Sequence, residues 1–161
     1  MQETIPDGNW NPRGMPSLQI HQASRLLARV NEQRLRRVGI GVAHLPVIVA
    51  LKDGSALSQK ELTRLAGIEQ PSMAQMLARM ERDGLIQRST DPRDRRSSLV
   101  SLTRRTLELL PQGRAILSQV NEEALNGFSA RERETLVTLL DRLMMNLDSL
   151  AKGETSETGC P

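Results

Sequence analysis

The clearest pattern of apolar and polar positions runs over residues 57–102, and it changes period along its length. Apolar residues recur at three and four up to Gly67, again at three and four up to Gly84, and then in two short extended runs on either side of a basic turn. Ser58 and Glu61 have the spacing of a capping box. In it the hydroxyl accepts from the amide three residues on, and the carboxylate accepts from the amide at the cap. Leu57 and Leu62 are placed for the accompanying hydrophobic staple. Leu62, Leu65 and Ala66 are predicted to face inward, Gly67 to end the helix in the left-handed conformation, and Ile68 to be buried in the turn. A second helix then opens with Pro71 at its first position and runs to about residue 83. Met73, Met76, Leu77 and Met80 form its buried stripe; a methionine stripe at this spacing is core far more often than a cofactor site. Ser72, Gln75, Arg79 and Arg82, spaced three, four and three apart, form the opposite face. Short strands are expected at 85–88 and 98–102, joined by STDPRDRRS, whose Asp91-Pro92 supplies a turn.

The flanks read as helices. Residues 17–38, with Ser17 as cap after Pro16, carry Leu18, Ile20, Leu26, Leu27, Val30 and Leu35 as a rough apolar face. Arg25, Arg29, Arg34, Arg36 and Arg37 lie mostly elsewhere. They read as a solvated face, with phosphate contact by the 34–37 cluster as the second reading. After Gly39 and Gly41, residues 44–51 are almost all apolar. A short buried helix with Pro46 in its first turn is expected, a strand being the competitor because Val47, Ile48 and Val49 favour β structure. Residues 103–126 form a long helix whose Pro111 is expected to kink or break it. The last helix, 129–151, opens on a second capping box, Ser129 and Glu132. Its Leu136, Leu140, Leu143, Leu147 and Leu150 make a four-three seam, widened by Val137, Leu139 and Met144. A face this wide suits a dimer interface better than an intramolecular core alone.

The expected fold is mainly α with a small two-stranded β wing. A single domain over 17–152 is divided into dimerisation helices at 17–38 and 104–151 and a winged helix-turn-helix at 43–103. Residues 1–16 read as a flexible arm, in which Trp10 is exposed or lightly packed, the other reading being an anchor on a partner subunit. Residues 153–161 read as a disordered tail.

Composition removes several function classes. Trp10 and Phe128 are the sole aromatic residues, so no aromatic platform for stacked bases is available. The single cysteine, Cys160, permits neither an intrachain disulfide nor a cysteine metal cluster, which fits a reducing cytoplasm. The start, MQETIPDG, is not a signal peptide, and no apolar run is long enough for a bilayer. His21 and His44 are the only histidines, with no paired carboxylates, nucleophile elbow or glycine-rich phosphate loop. No enzyme, cofactor or metal is expected. A net charge of +3 decides little, but its distribution decides more. Between 79 and 105 stand Arg79, Arg82, Arg88, Arg93, Arg95, Arg96, Arg104 and Arg105, against Glu81, Asp83, Asp91 and Asp94.

Those residue types suit duplex DNA. Gln75 can pair with adenine at two points, and Arg79 with guanine or a phosphate. Ser72, near the positive end of the helix dipole, can bind phosphate with nearby amides. Arg93, Arg95 and Arg96 are long enough to enter an adjacent minor groove. The run LSQKELTRLAGIEQPSMAQMLARMERDGLIQRSTDPRDRRSSLVSLT, above all MERDGLI and DPRDRRSSLVSLT, resembles the MarR family of bacterial transcription regulators. The resemblance implies a triangular, all-helical homodimer with one winged lobe per subunit and interlocked terminal helices. It implies a pseudo-palindromic operator and repression relieved by a small, often aromatic or phenolic, ligand. By position in the motif, Gln70, Ser72, Gln75 and Arg79 fall where such proteins meet the major groove. Asp94 and Arg96 fall where the family shapes the wing and reaches the minor groove. Two departures stand out: Thr106 lies near where many members have glycine, with Pro111 following, and no N-terminal cysteine is available for a peroxide switch. His21 and His44 are candidates to line an effector pocket. The competing function is a winged-helix interaction module whose basic face binds an acidic protein.

Overall fold

The computed structural model describes residues 14–94 and 96–153. Residues 1–13 with Trp10, Arg95, and residues 154–161 with Cys160 lie outside the described residues. Among the described residues six α-helices and three strands follow in the order α1 (Pro16–Leu35), α2 (Leu45–Ala50), β1 (Leu57–Ser58), α3 (Gln59–Ala66), α4 (Gln70–Arg82), β2 (Ile86–Thr90), β3 (Ser98–Leu102), α5 (Arg104–Ala124) and α6 (Ala130–Ala151). The chain divides into two compact units at Val120, within α5. No described helix is long and apolar enough to cross a membrane.

The first unit packs around Leu35, Val47, Leu51, Leu62, Met73, Leu77, Met80 and Val100, all fully buried. The 44–51 run is a helix, not a strand. Val47, Ile48 and Leu51 are buried while Val49 is exposed, which is helical spacing and not alternation. The capping box at Ser58 is complete: its Oγ accepts from the Glu61 amide at 3.3 Å, and the Glu61 carboxylate accepts from the Ser58 amide at 2.8 Å. Gly67, at φ 63°, ends α3 in the left-handed region as expected. Leu65 does not face inward; it is 53% exposed. The core lies on the Leu62–Ala66 side of this short helix, and the position three residues after Leu62 is turned away from it.

Three expectations need correction. The sheet has three strands in the order β1-β3-β2, not two. The extended backbone that Ser58 needs as a cap, φ −69° and ψ 157°, also lays Leu57 and Ser58 beside Val100 and Leu99. Helix α1 starts at Pro16, with Met15 in the N-cap position and no side-chain cap hydrogen bond there, so Ser17 is not the cap. Proline, with fixed φ and no amide to satisfy, suits that first position. And α5 runs unbroken through Pro111. Thr106 and Gly113 on either side of it are buried, and the proline ring lines a cavity. Packing holds the turn that the missing amide hydrogen bond would loosen.

Along α1, Leu18, Ile20, Leu26 and Leu27 are exposed; only Asn31 and Leu35 are buried. In the second unit α6 has no fully buried residue, and Val137, Met144, Met145 and Leu147 are more than half exposed. Its N-terminus is fixed by the expected box, the Ser129 Oγ accepting from the Glu132 amide at 3.3 Å. Arg133 braces the preceding turn through Glu122 at 2.6 Å and the Leu125 carbonyl at 3.1 Å.

Candidate nucleic-acid interface

Helix α4 is amphipathic along its whole length. Burying Met73, Leu77 and Met80 forces Ser72, Gln75, Arg79 and Arg82 onto the opposite, exposed face, together with Gln70 in the first turn. Gln70 accepts from the Gln59 side-chain amide at 3.1 Å, which ties the first turn of α4 to the start of α3. The Arg79 Nε donates to the Gln75 carbonyl of its own helix at 3.3 Å, leaving its terminal nitrogens for other partners. Arg82 pairs with its neighbour Asp83 at 3.3 Å, an exposed contact of little energy.

The wing takes its shape from its two aspartates. Asp91 is buried, and its carboxylate accepts from the Arg93 amide at 2.8 Å; the Asp94 carboxylate accepts from the Arg96 amide at 3.0 Å. Both are side-chain turns that mimic a backbone turn two residues long. The Asp91 amide donates to the Ser97 carbonyl at 3.0 Å and closes the loop. Asp94 is thus a turn former, while Arg93 and Arg96 are thrown outward. The Arg93 side chain is 86% exposed, its Nε 3.7 Å from Asp91. The register Ile86↔Leu102 to Thr90↔Ser98 carries this tip at the end of a regular ladder.

A hydroxyl clasp at the base of the wing was not foreseen. Thr103 Oγ1 donates to the Gly84 carbonyl at 2.8 Å, and Thr106 Oγ1 to the Leu85 carbonyl at 2.8 Å. The two hydroxyls lie 3.0 Å apart. They fasten the turn that ends α4 to the first turn of α5. The departure of Thr106 from glycine was the available signal.

The first unit also holds a cavity of about 920 Å³, lined mainly by apolar residues such as Ile40, Leu45, Ile48 and Leu110, with Lys52 and Arg114 as its cations. Neither histidine is among its lining residues. His21 is exposed on α1. His44 lines a separate cleft of about 180 Å³ with Ser72, Gln75 and Arg79. Its ring is set beside Gly41, on the side of Glu32. The Glu32 carboxylate accepts from the Val42 amide at 2.7 Å and from Arg36 Nε at 2.8 Å, and these bonds hold it below the usual carboxylate range.

A family profile described as MarR family matches residues 38–97. A probable transcriptional regulator from Pseudomonas aeruginosa is 30% identical, with a TM-score of 0.75 over 83% of this chain and 99% of that one. A mutant MarR from E. coli complexed with operator DNA is 23% identical, with a TM-score of 0.73 over 79% and 91%. The transcriptional regulator SlyA is 18% identical, with a TM-score of 0.76 over 85% and 96%. The last two establish likeness of fold, and the first adds sequence across nearly its full length. With six helices, a three-stranded wing and a matching profile over the reader, the chain belongs to the MarR family of winged helix-turn-helix transcription regulators, and not to a class of enzymes.

Proposed function

We propose that the chain is a sequence-specific DNA-binding regulator in the cytoplasm, acting as a homodimer on a pseudo-palindromic operator and repressing until a small ligand binds. The observation that carries this is the exposed face of α4, where Gln70, Ser72, Gln75, Arg79 and Arg82 stand clear of the core. Only one α-helix fits the major groove, and this face offers the donors and acceptors that base edges require. Arg93 and Arg96 at the wing tip, with Arg95, supply cations for phosphate or the minor groove. The E. coli MarR mutant of like fold is described with operator DNA, which supports the same partner here.

The apolar residues left exposed on α1 and α6 support pairing of two chains. Two readers would then meet half-sites about one helical turn, roughly 34–36 Å, apart. The large cavity favours an effector with an apolar body and an anionic group that Lys52 and Arg114 can meet. A mobility shift on DNA from upstream of the gene, against random competitor, tests the core of this reading. A retarded complex that survives competitor is expected. Failure to bind, with binding to an acidic protein instead, favours the interaction module.

A further inference from the structure

The cleft beside α4 has a composition that the rest of the interface lacks. Ala43, His44, Ser72, Gln75, Met76 and Arg79 enclose about 180 Å³, so a hydroxyl, an imidazole and a guanidinium from two separate elements converge on one small volume with no carboxylate among its walls. The His44 Nδ1 is buried and has no hydrogen-bond partner; a Cβ at Gly41 would stand 3.4 Å from it. With Nδ1 turned into the protein, Nε2 is the nitrogen left to serve the cleft. We propose that this cleft seats one backbone phosphate of bound DNA, with His44 donating through Nε2, so that binding draws a second proton onto Nδ1, on the side of the ring near the Glu32 carboxylate. The proposal rests on the DNA reading above and adds a contact outside the motif.

The position suits a phosphate. Ser72 and Gln75 belong to the face that would enter the groove, and the elements bordering such a face meet the backbone that walls it. The surrounding charges fix the sign of the pH effect. The charged groups around the ring are Glu32 from α1, its partner Arg36 just past the end of that helix, and Arg79 from α4. Glu32, held below its usual range by the Val42 amide and by Arg36, stays ionised at neutral pH. A phosphate between His44 and Arg79 replaces their mutual repulsion by two attractions. The protonated ring then binds DNA better, and affinity falls as pH rises.

The test is fluorescence anisotropy of a mixed-sequence DNA duplex of about 30 base pairs at low, fixed ionic strength, since a phosphate contact is sequence-independent. Between pH 6 and pH 8 the wild-type affinity is expected to fall about five- to tenfold. His44→Gln, which keeps a neutral donor near Nε2, is expected to bind as the wild type does at pH 8 and to lose most of that pH dependence. A second readout needs no variant: the chain has two histidines, so ring resonances separate His44 from His21. DNA is expected to raise the His44 midpoint and leave that of His21 in place. Equal pH dependence in wild type and His44→Gln, or a His44 midpoint that DNA does not move, overturns the phosphate site alone. A wild type that binds no DNA at any pH overturns the DNA reading and this site with it.

Discussion

Replacing Thr106 by valine probes the clasp between the end of α4 and the start of α5. The side chain is fully buried, and its hydroxyl donates to the Leu85 carbonyl at 2.8 Å. Valine matches its shape, so the change removes one hydrogen bond without opening a cavity. The Leu85 carbonyl keeps the Thr103 amide at 3.1 Å and is not orphaned, so the cost is that of a single bond, about 1 kcal/mol. Thr106→Gly removes the same bond, deletes the buried Cβ and methyl, together worth about 1.6 kcal/mol, and replaces threonine by glycine in a helix at a few tenths of a kcal/mol more. Together that is about 3 kcal/mol. For a chain of this size each kcal/mol lowers Tm by about 2–4 °C. Thermal unfolding followed by far-UV circular dichroism is therefore expected to place valine about 2–4 °C below wild type and glycine about 6–12 °C below. Valine as stable as wild type would refute the clasp as a stabilising contact, and glycine no worse than valine would contradict the tight burial of the Thr106 side chain.

Three further outcomes follow from the same contacts. Gln75→Ala is expected to cost about 1–3 kcal/mol on the preferred operator and to blur base preference at one position, whereas Arg96→Ala weakens all sequences alike; anisotropy on operator and scrambled duplexes separates them. Val137→Glu and Met144→Glu alter residues already 58% exposed, so the fold is expected to survive while sedimentation shows loss of the dimer; dimers that persist would remove α6 from the interface. Hydrogen bonds from the serine hydroxyl and amide hold Glu61 and Glu132 below the usual carboxylate range. Their contribution is full above the unfolded carboxylate pKa and is lost as pH falls through the lower folded values. Chemical unfolding from pH 7 to pH 3 is expected to show the gap between wild type and Ser58→Ala narrowing at the acid end.

Most of the reader was legible because its signals are local. The boxes at Ser58 and Ser129, the glycine stop at Gly67 and the two faces of α4 each depend on residues within one or two turns. What was missed depends on pairing across sequence. The Leu57↔Val100 bridge spans the whole reader, and nothing near Leu57 announces it. Pro111 reads as a break until the packing on both sides of it is known. That His44 shares a cleft with Ser72, Gln75 and Arg79 of α4 is likewise not written in its neighbours along the chain. Asp94 and Arg96 look alike as wing charges, and only the hydrogen bond between them assigns one to the turn and the other to the outside.

The salt dependence of DNA affinity bears most directly on the central claim that α4 and the wing form a cationic DNA reader. Each phosphate neutralised contributes a slope of about −0.9 in log K against log salt concentration. With Arg79, Arg82, Arg93 and Arg96 each neutralising one phosphate on each of two subunits, the slope is expected to lie at about −7. A slope near zero, or one that Arg79→Ala and Arg96→Ala leave unchanged, would contradict it.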